Sequence, residues 1–179
     1  ALLVFRLVWG VVGSRHARFW NFVHGPRAIL RYVRGDDPRP EHLRVGHNPL
    51  GSLSVLALLT VVTLQVISGL FANDEIFNQG PLANYVSDRT SAIFTFYHTT
   101  IGQPLIYALV GLHLAAIAYY AIFKRENLVR PMLTGDIDTV AGVTPARDTW
   151  GLRLLALLIV AAGGVLAWWV STLGSVGGY

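Results

Sequence analysis

The 179 residues are 53% apolar and only 13% charged, against a charged share of about a quarter in soluble domains. The uncharged residues run in long blocks, the longest over residues 90–123, and about 20 apolar residues suffice to cross a hydrocarbon core, so a soluble globular domain is excluded. With no cysteine the chain makes no disulfide, iron–sulfur cluster, thiolate metal site or covalently attached c-type haem, and its net charge of +4 sits beside apolar segments, the pattern of membrane topology and not of nucleic-acid binding.

The chain opens on Ala1, which is not Met, inside an apolar run that lasts to Val12 and is too short to span a membrane. It is expected to be the tail of a longer, truncated helix, and no charged n-region precedes it to make a signal peptide. Residues 14–49 are polar and carry seven arginines against Asp36, Asp37 and Glu41, which assigns them to the cytoplasmic side. Within them Pro26 suits the start of a short helix with Arg27, Arg31 and Arg34 on one face, lying on the membrane with its arginines reaching lipid phosphates.

Residues 50–71 are uncharged and form a full span, with Pro49 before them and Gln65 among their few polar groups. Residues 72–92 hold Asp74, Glu75 and Asp88 against Arg89 alone and belong on the opposite, periplasmic side. A second full span runs from about Ile93 to Phe123 and returns the chain to the cytoplasm at Lys124 and Arg125. A linker with Pro131, Gly135 and Pro145 leads to a last span over residues 154–173. Arg147 and Arg153 flank its near end and Trp168 and Trp169 its far interface, while the small residues from Ala161 to Gly164 let it pack closely on a neighbour. The expected fold class is all-α, an integral membrane helical bundle of three full spans plus the truncated N-terminal one, with membrane lipid as its first partner.

Two histidines share the second span, His98 near its periplasmic end and His113 deeper. Ionisable groups inside a membrane are costly and mark function by default. Their separation corresponds to roughly 22 Å of rise and about 60° of rotation, so both can face one bundle interior at two depths. A neutral imidazole is a good axial ligand for haem iron, and two per iron close the coordination sphere in favour of electron transfer. The pair therefore points to two stacked haems, the alternative being that each histidine bonds a neighbouring helix. Gly102 and Pro104 lie between them, and a proline kink there would either re-aim the rings or serve packing alone.

Three cationic or imidazole groups lie toward the cytoplasmic face. Arg6, near the end of the opening run, is placed to pair with a haem propionate or to snorkel to lipid phosphate. His47 begins the first full span and could ligate iron, bond a propionate or bind a quinone. Its depth differs from that of His113 by on the order of 15 Å, too far for one iron to join them. Lys124 is a further candidate for a propionate. His16, His24 and His42 receive no role.

The stretches FRLVWG at residues 5–10, GHNPLGSLSVLALL at 46–59, the helix from His98 through GLHLAAIAYY at 111–120, and KRENLVRPM at 124–132 resemble the bacterial cytochrome b561 family, relatives of the hydrogenase b-type cytochrome subunit. The resemblance covers about residues 1–135 as a cytochrome core incomplete at its N-terminus, and leaves 136–179 as a linker and an additional C-terminal helix. It implies two b-type haems in the bacterial inner membrane, moving electrons between the quinone pool and a periplasmic c-type cytochrome or other redox protein. The chain would be an electron-transfer protein or a subunit of a quinone-linked oxidoreductase, with an oligomer or larger complex open to it. The resemblance further implies that His98 serves the periplasmic-side haem and His113 the cytoplasmic-side one. In that pattern the opposing ligands come from the first helix and the start of the second, and are expected upstream of Ala1 or from another polypeptide. The competing reading is a non-redox membrane anchor or scaffold subunit. A transporter is weaker, because the spans contain no carboxylate to couple ions.

Overall fold

A computed structural model describes residues 1–36, 48–76, 78–134 and 148–175, so that His42, His47, Arg39, Arg44 and the linker's Gly135 and Pro145 lie outside the described residues. Regular structure among the described residues is helical, apart from one isolated bridge between Asn73 and Gln79. The helices are α1 (Leu2–Val12), α2 (Phe19–Phe22), α3 (Pro26–Val33), α4 (Pro49–Phe71), α5 (Asp88–Phe96), α6 (Gln103–Tyr119), α7 (Val129–Thr134) and α8 (Trp150–Ser175). A π turn at Tyr97–Gly102 joins α5 to α6, and a second at Tyr120–Lys124 ends α6, so one helical rod runs from Asp88 to Lys124.

Among the described residues three segments are long and apolar enough to cross a membrane: Pro49–Phe71, Asp88–Lys124 and Trp150–Gly174. Buried apolar side chains among the described residues are few, namely Phe22, Pro49, Val61 and Ala83, whereas Leu64, Val110, Leu114, Leu157 and Val165 are exposed. At about 25 cal/mol per Å² of apolar surface that exposure would be ruinous in water and costs nothing in lipid. The chain is a multi-pass membrane protein.

Two spans begin earlier than hydrophobicity alone indicates. α5 starts at Asp88, ahead of Ile93, because Ser87 Oγ accepts from the Thr90 N–H at 3.3 Å and Asp88 lies in the positive first turn. α8 starts at Trp150, ahead of Leu154, where Thr149 Oγ1 accepts from the Leu152 N–H at 3.3 Å. Arg153 donates through Nε and Nη2 to both oxygens of Asp148, and those bonds hold the Asp148 carboxyl below the usual carboxylate range. Such starts are written in capping chemistry, to which a count of apolar residues is blind.

α4 and the Asp88–Lys124 rod form an antiparallel hairpin. At one end Asn48 caps α4, accepting from the Gly51 N–H at 2.6 Å and donating to the Tyr120 hydroxyl at 2.7 Å. Tyr32 of α3 meets the same hydroxyl at 2.7 Å, so the arginine-bearing helix expected on the surface is tied to the ends of two spans while Arg27, Arg31 and Arg34 stay exposed. At the other end Asp74 accepts from the Ile76 and Asn78 N–H groups and from Asn78 Nδ2, which folds the acidic loop back on itself. α8 packs on α1 across Gly163, where an added Cβ would stand 3.3 Å from the Ala1 carbonyl oxygen and 3.6 Å from Val4 Cβ. The neighbour for the small-residue stretch is thus α1.

Candidate functional site

The rod is longer than the bilayer needs. Its 37 residues rise about 55 Å against a hydrocarbon core of about 30 Å. Centring it leaves His98 and His113 each within about one turn of opposite hydrocarbon edges. The π turn that holds His98 ends just before Pro104, whose missing N–H and ring deny Thr100 its ordinary α-helical partner. A π turn carries one extra residue, which removes about 100° from the phase between the histidines. The rings then lie within about 40° of one another, where an uninterrupted helix would part them by about 60°. The proline expected as a possible kink therefore acts through helix winding.

His98 is half-buried against α4. Its Nδ1 lies 3.0 Å from the main-chain oxygen of Gln65 and 3.2 Å from Ser68 Oγ. A carbonyl can only accept, and the Ser68 hydroxyl proton is itself directed to the Gln65 oxygen at 3.0 Å, so both neighbours of Nδ1 are acceptors. The proton therefore sits on Nδ1 and the lone pair on Nε2, the tautomer an iron ligand requires, with the carbonyl-held geometry found behind metal-ligating histidines. Gly69 makes the room: a Cβ there would come within 2.8 Å of His98 Cε1. Gln65 also donates from Nε2 to the main-chain oxygen of His98 at 2.9 Å.

His113 is half-buried on α6 and makes no hydrogen bond among the described residues. No three of His, Asp and Glu converge among the described residues. What the span offers is single imidazoles, the donor set that suits a macrocycle whose iron needs only axial ligands.

Arg6 lies over the rings of Phe19 and Phe22, at 5.7 and 5.9 Å from their centroids, and reaches the Ala17 carbonyl at 3.5 Å. Lys124 is exposed at the end of the rod, just before Arg125 turns left-handed at φ 55° and closes the helix. Among the described residues no hydrogen bond or ion pair joins Arg6, His113 and Lys124, and His47 falls outside them. Two participants, Ser68 and Ser52, do not stand out among the several Ser and Thr of α4, and a third, Gln65, does. Ser68 and Ser52 are fully buried on α4, Ser52 lying 3.4 Å from Nδ1 of His24, a histidine given no role. Gln65 was visible as the lone amide of an uncharged span, and its expense in lipid was the available signal.

A family model, that of prokaryotic cytochrome b561, matches residues 1–135. No curated protein and no solved structure matches the chain. The matched stretch takes in α1 through α7 with both span histidines, and the chain belongs to the prokaryotic cytochrome b561 family, membrane proteins that transfer electrons by b-type haem.

Proposed function

We propose that the chain carries electrons across the bacterial inner membrane between the quinone pool and a redox protein at the periplasmic face, with His98 and His113 each supplying an axial ligand to one of two b-type haems. The observation that carries this reading is that both imidazoles lie on one side of the Asp88–Lys124 rod, about four turns apart, with Nδ1 of His98 bonded to the main-chain oxygen of Gln65 so that Nε2 carries the lone pair. Bound haem supplies one-electron chemistry at its iron. The protein's part is to hold each ring at its depth, to keep the His98 proton on Nδ1, and to surround the site with lipid-facing apolar side chains that exclude water. Arg6, Lys124 and His47 are proposed to hold the propionates of the cytoplasmic-side haem.

The loop containing residues 14–49 is proposed to be cytoplasmic and that of 72–92 periplasmic, from their opposed charge. Residues 1–135 form the cytochrome core and 136–179 an added segment, a division that the extent of the family match supports. The test is an absorption spectrum of the purified protein before and after addition of a quinol. Quinol-reducible b-haem bands, with about two haems per chain on the two-depth reading, are expected. A colourless preparation of the complete protein, with the opposing ligands expected upstream of Ala1 present, would end the haem reading and favour the membrane-anchor alternative.

A further inference from the structure

We infer that Gln65 is the positioning residue of His98, setting the reduction potential of the haem on that side through hydrogen bonds alone. The inference rests on the proposal that His98 ligates iron. Gln65 is the single amide side chain of α4 and crosses to the rod, where Nε2 donates to the His98 main-chain oxygen at 2.9 Å. The main-chain oxygen of Gln65 accepts from Nδ1 of His98 at 3.0 Å. One residue of one helix thereby grips both the ring and the backbone of one residue of another.

The surroundings identify which end of the amide matters. The His98 oxygen already receives the Gln103 N–H inside the π turn, so the amide adds a second bond to a carbonyl that the helix could satisfy by itself. Oε1 of Gln65 is buried with no hydrogen-bond partner among the described residues, pressed on Gly102, where any Cβ would collide with it. An unpaired buried oxygen is costly, and an apolar side chain of equal length would avoid that cost while packing as well. The retained function is the donor, and its target is His98.

The electronic consequence follows from the ring's bond. A carbonyl accepting from Nδ1–H makes the imidazole a more basic ligand and favours oxidised iron. Loss of the amide frees the π turn, lengthens the hydrogen bond from Nδ1–H to the Gln65 oxygen and raises the midpoint potential. Gln65→Met preserves length and removes the donor, and Gly102→Ala displaces the amide without deleting it. Both are made in the full chain with its haems, beside His98→Ala, and read by redox titration and by electron paramagnetic resonance of the oxidised protein.

The expected result is that both variants retain wild-type haem content, and that the haem lost in His98→Ala is the one whose midpoint rises and whose g-values move, the other staying put. Unchanged midpoints and g-values in Gln65→Met, even with a lowered melting temperature, would reduce Gln65 to a packing contact and overturn the inference while leaving His98 as a ligand. Full haem content in His98→Ala would remove the ligand reading and the inference with it.

Discussion

Gln65 and His98 exchange hydrogen bonds in both directions, each main-chain oxygen receiving a proton from the other residue's side chain at 3.0 and 2.9 Å. His113 has no comparable bond among the described residues. The two span histidines are thus built differently: one is held in tautomer and orientation by hydrogen bonds from α4, and the other has no hydrogen bond among the described residues to hold its ring. Because pre-set ligands lose less freedom on binding, the His98 side is the more rigid of the two.

Replacement of either histidine should therefore remove mainly one haem, and a different one in each case. His98→Ala and His113→Ala are each expected to lower the haem count from about two per chain toward one, since an iron deprived of an axial ligand holds its macrocycle weakly. Pyridine haemochrome quantification against protein gives the number directly. Unchanged counts in both variants would dissociate these residues from the iron.

Arg6→Leu should retain both haems and lower one midpoint. A guanidinium near a haem favours the reduced, less positive iron, so removing it favours the oxidised state. Stacking over Phe19 and Phe22 holds Arg6 in place without neutralising it, which leaves its charge available to a propionate. A redox titration that returns two wild-type midpoints, or a preparation lacking one haem, would count against that role.

The absence of native cysteine makes a labelling test of topology clean. Single cysteines at Asn78 and Arg34, both exposed, are expected to react with a membrane-impermeant maleimide from opposite faces only, Asn78 in intact cells with a permeabilised outer membrane and Arg34 in inverted vesicles. Reaction of both positions from one face would reverse or refute the proposed orientation.

Gly163→Leu tests the contact between α8 and α1. The new side chain must enter a gap in which a bare Cβ already stands 3.3 Å from the Ala1 oxygen, and overpacking of this kind costs about 1–3 kcal/mol. The melting temperature in detergent should fall while haem content holds, because α8 carries neither span histidine. A melting temperature equal to wild type would show that α8 does not press on α1.

Much of this protein is legible along the chain. Exclusion from water, the uncharged cores of the spans, the opposed loop charges and the depth of His98 and His113 all follow from composition and position, because transfer into lipid is nearly additive residue by residue. Pro26 opens α3 and Pro49 opens α4 for a reason equally local, since a proline at the first helical position has no N–H to lose. The tertiary structure alone decided what depends on two helices meeting in one register. It brought Gln65, Ser68 and Gly69 to the His98 ring, gave Gly163 the end of α1 as its neighbour, tied Tyr32 and Asn48 to Tyr120, and wound the rod through a π turn that changes the angle between its histidines. A hydrogen bond across a helix crossing acts over about 3 Å, and a shift of one residue in either helix rotates the partner away by about 100°, so no pattern within a single segment can encode which partner it will find.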